Sequence, residues 1–302
     1  MMSPVRSELN RCWSNSLQHL LTFAEVFQMS EKIKVSVLQC GSVIVAKNQL
    51  FNTGESLWDA ALFNNRRPDT RVEIPVFAFL IQHPKGTILV DTGWSKNVRK
   101  HPVLTLMQQR LCDAPSLPEG QAVEEQLLAR GIRPADLDYV ILTHLHIDHA
   151  GGLQSVREAK KIIVSQSEWW EANLPKNWLV YDRRCWRGVP VKPFYFKDSP
   201  YGPRKKSYDL FGDGTIELVH VPGHTAGLLN VLIQNNGKCL LLAADCGFRR
   251  ESWEKGIRPT LVHDEKDMMD SLRWVASIAE RPDCIDCITC HESNLPVREF
   301  EL

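Results

Sequence analysis

His144-Leu145-His146-Ile147-Asp148-His149 places four side chains that can bind a metal within six residues. The stretch follows Leu137–Leu142, an apolar run that predicts a buried strand, and precedes Gly151-Gly152, which we expect to release the chain from a turn. On an extended backbone alternate residues of the stretch point the same way, and its last histidine reaches their pocket if the chain turns. Zinc takes three or four nitrogen, oxygen or sulfur ligands. Ligands this close together therefore predict two metals rather than one open catalytic site.

The alternative is a polar surface loop with accidental histidines. Three further residues weigh against it, because each follows an apolar run that reads as a strand and functional residues often lie where strands end. His224 comes after Ile216–Val221, Asp245 after Leu240–Ala244 and His291 at the end of Cys284–Cys290. Taken singly, these residues could be a turn histidine, a helix N-cap and a surface histidine.

The order His-x-His-x-Asp-His, Pro-Gly-His, Ala-Asp and a C-terminal histidine resembles the metallo-β-lactamase superfamily of hydrolases, over roughly residues 32–302. Ile88–Gly93 is similar to that family's early strand and its Asp-Thr-Gly turn. Within the superfamily the chain looks most like the N-acyl-homoserine lactonases. Three stretches carry that resemblance: Ile74–Ile81, Gly131–Asp138 and His149–Gly152.

The resemblance implies an α+β fold, a four-layer αββα sandwich in which two β-sheets lie between helices and the metals lie at one sheet edge. We expect residues 31–302 to form this hydrolase domain and residues 1–30 to be an N-terminal extension. In that extension Leu17, Leu20, Leu21 and Ala24 have the spacing of one apolar helix face. The segment lacks the features of a signal peptide, and Met29 is a second candidate start.

The resemblance also implies a ligand set for two Zn²⁺ ions per chain. It places one zinc on His144, His146 and His224, the second on Asp148, His149 and His291, and makes Asp245 the bridge. A hydroxide bridging the metals would attack the lactone carbonyl, because a zinc-bound water has a pKa near ~7. Asp148 and Asp245 are the implied catalytic residues, with Asp148 shuttling the proton to the leaving alkoxide.

Phe248 departs from the family pattern. The resembled lactonases commonly have a tyrosine three residues after the bridging aspartate, where its hydroxyl contacts the substrate. Phe248 occupies that substrate-binding position here and cannot donate the hydrogen bond, worth ~0.5–1.5 kcal/mol net. The departure therefore bears on lactone specificity and leaves the metal chemistry unchanged.

The composition narrows the choice of partner. Thirty-six basic residues balance thirty-six acidic ones in 302 residues, which argues against nucleic acid as a partner. No apolar run is long enough to predict a membrane span. We expect a small-molecule substrate with an apolar group, and a homodimer is the assembly to test.

Nine cysteines without a paired framework predict reduced thiols and a cytoplasmic protein. Cys284-x-x-Cys287-x-x-Cys290 has a spacing that can hold a metal or an iron–sulfur cluster. In a regular strand Cys287 would face away from the other two. Small buried apolar side chains are therefore the favoured interpretation.

Ser165–Pro203 is long and rich in aromatic residues. Two interpretations are equally supported: the aromatic side chains pack an accessory helix and hairpin, or they form a lid or apolar wall over the metals. The aromatic residues are Trp169, Trp170, Trp178, Trp186, Phe194, Tyr195 and Phe196.

The leading hypothesis is a zinc lactonase, acting on acyl-homoserine lactones in quorum quenching. A hydrolase of the same fold could instead cleave another ester, a thioester as in glyoxalase II, a sulfate ester or a phosphodiester. A di-iron redox protein is disfavoured by His146 and by the lack of a flavodoxin-like second domain. A metal-bound interaction module without turnover is disfavoured by the complete ligand set.

Overall fold

Two β-sheets stack face to face in the computed structural model, which describes residues 32–54, 68–100, 114–296 and 298–302. The strands are β1 Lys34–Ala46, β2 Arg71–His83, β3 Gly86–Val90, β4 Ala114–Ser116, β5 Tyr139–Leu142, β6 Ile162–Ser165, β7 Val191–Phe194, β8 Lys197–Asp198, β9 Lys206–Asp209, β10 Ile216–His220, β11 Leu229–Asn235, β12 Lys238–Ala244, β13 Cys284–Thr289 and β14 Glu299–Glu301.

The first sheet has the order β14-β1-β2-β3-β5-β6-β7, with β4 paired to β1, and the second has the order β13-β12-β11-β10-β9-β8. In the first sheet the neighbours β14, β1, β2 and β3 pair antiparallel, whereas β3, β5, β6 and β7 pair parallel. The second sheet is antiparallel except for β12 and β13.

Strand β2 shows why the sheets are covered on both faces. Phe77, Phe79 and Ile81 belong to the core between the two sheets, whereas their neighbours Val76, Ala78 and Leu80 pack into a second core outside the first sheet. Successive side chains of a strand point to opposite faces, so a continuous apolar run requires two buried faces.

Short helices follow several strands, and one long helix covers the second sheet. The helices are α1 Lys47–Leu50, α2 Asn97–Lys100, α3 Val123–Ala129, α4 Ile147–Ala150, α5 Gln166–Ala172, α6 Glu251–Glu254 and α7 Glu265–Ala279. Single 3₁₀ turns occur at Pro68–Thr70, Pro134–Asp136, Leu153–Val156 and Pro175–Asn177. Asp264 caps helix α7 by accepting the amide hydrogen of Asp267, and the helix buries Met268, Leu272 and Val275.

The expected sandwich is confirmed, since the sheets and flanking helices have the predicted layers. The predicted N-terminal helix lies outside the described residues, and the domain boundary at residue 30 stays a prediction. Within Ile33–Leu302 the chain packs as one compact unit. No helix in the described ranges combines the length and apolar character needed to cross a membrane.

Gly151 and Gly152 serve close packing instead of releasing the chain. Their φ angles are −61° and −81°, both in the ordinary right-handed region. A Cβ atom on Gly151 would lie 2.9 Å from the Gly93 carbonyl oxygen, and one on Gly152 would lie 2.3 Å from the Thr92 carbonyl oxygen. Glycine is needed here because two backbone segments touch.

The expectation that Cys287 faces away from Cys284 is wrong. A register shift pairs Cys239 with Cys284 but the next residue, Leu240, with Asp286, so Ile285 is an extra residue in β13. One extra residue reverses the alternation of side chains beyond it. The Cys284 and Cys287 sulfur atoms are consequently 3.7 Å apart on the same side of the strand.

Candidate metal centre

The His144–His149 stretch joins an extended segment to a helical turn. Strand β5 ends at Leu142, and the backbone is still extended at His146, where φ is −66° and ψ is 155°. Helix α4 begins at the next residue, which turns His149 into the same buried region. Leu145 points into the second core between the two histidines. This is the alternation followed by a turn that the sequence predicts.

Backbone hydrogen bonds between the sheets bring the other loops to this stretch. The Leu229 amide, which begins β11, donates to the Thr143 carbonyl oxygen at 3.1 Å. The Phe77 amide on β2 donates to the Cys290 carbonyl oxygen at 2.9 Å. The loop carrying His224 and the end of β13 are thereby fixed beside the end of β5.

Three histidines form one tight group of ring nitrogens. His144 Nε2 lies 3.1 Å from His146 Nδ1, which lies 3.0 Å from His224 Nε2. Ligands at ~2.0–2.1 Å from one zinc in a tetrahedron stand about 3.3–3.4 Å apart. The three nitrogens have nearly this spacing, as zinc ligands would.

A second group lies beside the first. Asp148 Oδ2 is 3.7 Å from His149 Nε2 and 3.5 Å from His291 Nε2. Asp245 touches both groups: its Oδ2 is 3.3 Å from His224 Nε2 and 3.4 Å from His291 Nε2, and its Oδ1 is 3.4 Å from His149 Nε2. One carboxylate therefore lies between two potential metal positions.

Hydrogen bonds behind the rings fix their orientation. His149 Nδ1 donates to Asp91 Oδ2 at 2.8 Å, and His291 Nδ1 donates to the Pro75 carbonyl oxygen at 2.8 Å. Both bonds leave Nε2 facing the centre, as in metal sites where the second ring nitrogen is held by a carboxylate or carbonyl. Asp91 itself adopts a φ of 59°, a strained conformation for a residue other than glycine.

Two buried polar atoms of the site lack hydrogen-bond partners in the described part of the chain, which indicates that the site suits a metal ion. His149 Nε2 and Asp245 Oδ1 are buried, and neither has a hydrogen bond in the described ranges. Buried polar atoms without partners are rare and costly. A metal ion would satisfy both atoms, which face each other across 3.4 Å.

The electrostatics of the centre separate the histidines into two kinds. Burial lowers the pKa of His144, His146 and His224, which keeps these rings neutral, as metal ligation requires. Burial also opposes protonation of His149 and His291, but Asp245 and Asp148 outweigh it and raise the pKa of both rings. Protons therefore compete with a metal ion for these two rings.

Glu168 is a site residue that the sequence did not reveal. This fully buried carboxylate accepts the Leu145 amide at 2.9 Å, the Thr225 hydroxyl at 2.7 Å and the Gly227 amide at 3.2 Å. Ser165 caps α5 by accepting the Glu168 amide, so Ser-x-x-Glu reads as a local capping box. That local signal conceals the carboxylate's position, where it joins two loops that carry candidate metal ligands.

A mostly apolar cavity of about 310 Å³ opens over the centre. His146, Asp148 and Asp245 line one part of it, and Phe248 stands among them with its ring centroid 5.2 Å from that of His291. Apolar side chains form most of the remaining wall: Val43, Val45, Ile74, Leu179, Val180 and Val262. A cavity of this kind accepts a ligand with an apolar portion.

The aromatic segment 165–203 combines both predicted roles. Trp186 is buried and packs with Trp169 in the second core, whereas Trp178 is 54% exposed. Leu179, Val180 and Tyr181 form part of the cavity wall. Most of the large aromatic rings therefore pack in the second core or face solvent. The residues that follow Trp178 in sequence, Leu179 to Tyr181, form this part of the cavity wall.

Comparisons with known proteins agree with this geometry. The family model described as the metallo-β-lactamase superfamily matches residues 71–283. N-acyl homoserine lactonase AttM from Rhizobium radiobacter is 32% identical over 228 residues, which cover 74% of this chain and 83% of AttM.

Solved structures show the same fold. An N-acyl homoserine lactone hydrolase with the product N-hexanoyl-L-homoserine bound at its catalytic metal centre superimposes with a TM-score of 0.70. It is 22% identical, and the match covers 86% of this chain and 93% of that one. AidC, a dizinc quorum-quenching lactonase, matches with a TM-score of 0.59 at 17% identity, covering 88% of this chain and 89% of AidC.

Proposed function

Because this chain belongs to the metallo-β-lactamase superfamily, we propose that it is a dinuclear zinc hydrolase that opens the ring of an acyl-homoserine lactone. Curated relatives carry the name N-acyl homoserine lactonase, which supports both the substrate class and a role in quorum quenching. One observation carries the proposal: seven potential ligand residues converge in two groups that share Asp245 beside an apolar cavity.

The proposed ligands form the same two groups that the interatomic distances define. His144, His146 and His224 would hold one ion, Asp148, His149 and His291 the other, and Asp245 would contact both. When bound, two zinc ions supply a hydrolytic nucleophile at neutral pH and stabilise the charge that develops on the ester oxygens.

The protein's own groups position the substrate and move the proton. The apolar cavity wall receives the acyl group and excludes water from the lactone ring. Asp148 is the ligand residue with the most accessible carboxylate, its side chain being 18% exposed to the cavity. Its carboxylate is therefore the group that takes a proton from the attacking water and passes it to the departing ring oxygen.

A second candidate is hydrolysis of another ester or of a thioester in the same site. Phe248 favours it, because the ring in the cavity offers no hydroxyl to a lactone. The Tyr181 hydroxyl is not a free replacement, since it hydrogen-bonds the Glu168 carboxylate.

A substrate panel on zinc-loaded protein separates the candidates. We expect ring opening of N-hexanoyl homoserine lactone, followed by proton release, and slower cleavage of an acyl thioester and of a phosphodiester. Clear thioesterase activity with no opening of any acyl-homoserine lactone would overturn the substrate proposal.

Metal content tests the centre independently of substrate. We expect two metals per chain in the native protein and fewer in Asp245→Ala, since that variant loses the carboxylate between the two groups. Full occupancy in Asp245→Ala would show that the bridge is assigned wrongly.

A cytoplasmic location and a homodimer complete the proposal. The seven cysteines in the described ranges are all free thiols, which supports a reducing compartment. Sedimentation of the full chain measures the assembly.

A further inference from the structure

Two cysteines at the start of β13 form a thiol pair away from the metal centre. Their sulfur atoms lie 3.7 Å apart because the extra residue Ile285 brings Cys287 to the same side of the strand as Cys284. Cys239 on β12 is the register partner of Cys284. Cys284 lies about 20 Å of extended chain from His291 and Cys287 about 13 Å, so the thiol pair lies outside the proposed metal centre.

The two thiols differ in access and in proton affinity. Cys284 is half-buried, whereas Cys287 is buried. The hydrogen bond between the Cys287 and Cys284 sulfur atoms lowers the pKa of Cys284 to about 7, against the effect of partial burial and with a smaller contribution from Cys239. The same hydrogen bond raises the pKa of Cys287, and burial adds to that effect. One accessible thiolate beside one protonated thiol is the arrangement of an attacking and a resolving cysteine.

We propose that Cys284 and Cys287 are a redox-active pair that a hydroperoxide converts to a disulfide. In the first step the Cys284 thiolate attacks one peroxide oxygen; the O–O bond breaks, the sulfur becomes a sulfenic acid, and the other oxygen takes up a proton. In the second step the Cys287 sulfur attacks the Cys284 sulfur, and the hydroxyl leaves as water with the Cys287 proton. Two thiols are oxidised to one disulfide, and one hydroperoxide is reduced to an alcohol and a water, or to two waters when the oxidant is hydrogen peroxide.

Other described cysteines lack this combination. Cys40, Cys185, Cys239, Cys246 and Cys290 are buried, and burial raises the pKa of each thiol. They fit the role of small apolar side chains.

Differential alkylation of the zinc-loaded full chain tests the proposal. After hydrogen peroxide treatment the protein is denatured, so that buried thiols also react. Free thiols are then blocked with one reagent, disulfides are reduced, and the released thiols are labelled with a second reagent. We expect the second label on Cys284 and Cys287, with Cys290 carrying the first, and full reversal by dithiothreitol. Two free thiols at 284 and 287, or a second label on Cys239 and Cys284, would overturn the pairing.

Substitutions distinguish the attacking cysteine, Cys284, from the resolving cysteine, Cys287. In Cys287→Ala, Cys284 should accumulate as a sulfenic acid that dimedone traps, and the disulfide should be lost. Cys185→Ala is the matched control, because it removes a buried thiol elsewhere and should leave the disulfide yield unchanged. Alkylation of native wild-type protein adds a measurement without substitution: Cys284 should react with a midpoint near pH 7, and a midpoint near the ordinary thiol value would contradict the attacking role.

Discussion

At the residue scale, the Glu168 carboxylate joins three parts of the centre. It accepts hydrogen bonds from Leu145, which lies between two of the histidines, and from Thr225 and Gly227 beside the third. Because it holds the segments of the proposed ligands and does not line the cavity, we regard Glu168 as a positioning residue.

Glu168→Gln should lower zinc affinity by about 10–100-fold, as substitutions behind metal ligands typically do. A glutamine amide has one oxygen, so its NH₂ group must face a backbone N–H or the Thr225 hydroxyl. Zinc titration by calorimetry measures the change. Glu217→Gln is the matched control, because Glu217 is also buried but accepts a hydrogen bond from Ser207 far from the ligands. Equal affinities in the two variants would remove Glu168 from the centre's support.

Phe248→Tyr should raise kcat/KM for N-hexanoyl homoserine lactone by about twofold to tenfold, the range that one added hydrogen bond of ~0.5–1.5 kcal/mol provides. The ring lines the cavity between His224 and His291, where a hydroxyl would reach the substrate. Steady-state kinetics at full zinc occupancy measure the effect. Phe248→Leu is the control without a hydroxyl, and an equal gain in both variants would mean that space rather than hydrogen bonding limits turnover.

At the scale of elements, the loop after β10 packs directly on the first turn of α5. A Cβ atom on Gly227 would lie 2.1 Å from the Glu168 amide nitrogen and 2.5 Å from its Cα atom, both backbone atoms that cannot move alone. The contact couples the loop carrying His224 to the helix carrying Glu168.

Gly227→Ala should lower the free energy of unfolding by about 1–3 kcal/mol, the usual cost of overpacking, and should reduce zinc content as well. Denaturant titration and elemental analysis measure the two effects. Gly237→Ala is the control, because its Cβ meets open space and only its φ of 70° opposes the substitution. We expect that variant to keep its zinc, and an undisturbed zinc content in Gly227→Ala would contradict the coupling.

At the scale of the whole molecule, both sheets contribute residues to the candidate metal centre. Because these residues form a buried cluster of histidines and carboxylates, we expect metal binding to depend on their protonation. His149 and His291 have raised pKa values in the metal-free protein because Asp245 and Asp148 outweigh their burial. A raised pKa means that protons compete with the metal, and the competition grows as pH falls.

Zinc affinity should therefore decrease on acidification through the neutral range, by up to about tenfold per pH unit for each proton released. Zinc titrations at several pH values, in buffers of different ionisation enthalpy, count the protons. A zinc affinity that stays constant from neutral to mildly acid pH would contradict the protonation of these two histidines.

Local sequence determined much of this protein. Apolar runs predict strands because burial follows the period of the backbone, and the spacing within His144–His149 determines which side chains can share a pocket. The resemblance then predicted the sandwich, which the fold confirms. The structure brings the seven proposed ligands together, and their role as metal ligands is part of the proposal.

Only tertiary structure decided the remaining features, because each depends on residues distant in sequence. Glu168 reads as a local cap until the loops at residues 145 and 225 are placed beside it. Cys287 turns toward Cys284 through pairing with β12, since a register shift is a property of two strands and cannot be read from one. The cavity likewise exists only where β1, segment 165–203 and the loop before α7 meet. Periodicity is encoded locally, whereas close approach depends on how the whole chain packs.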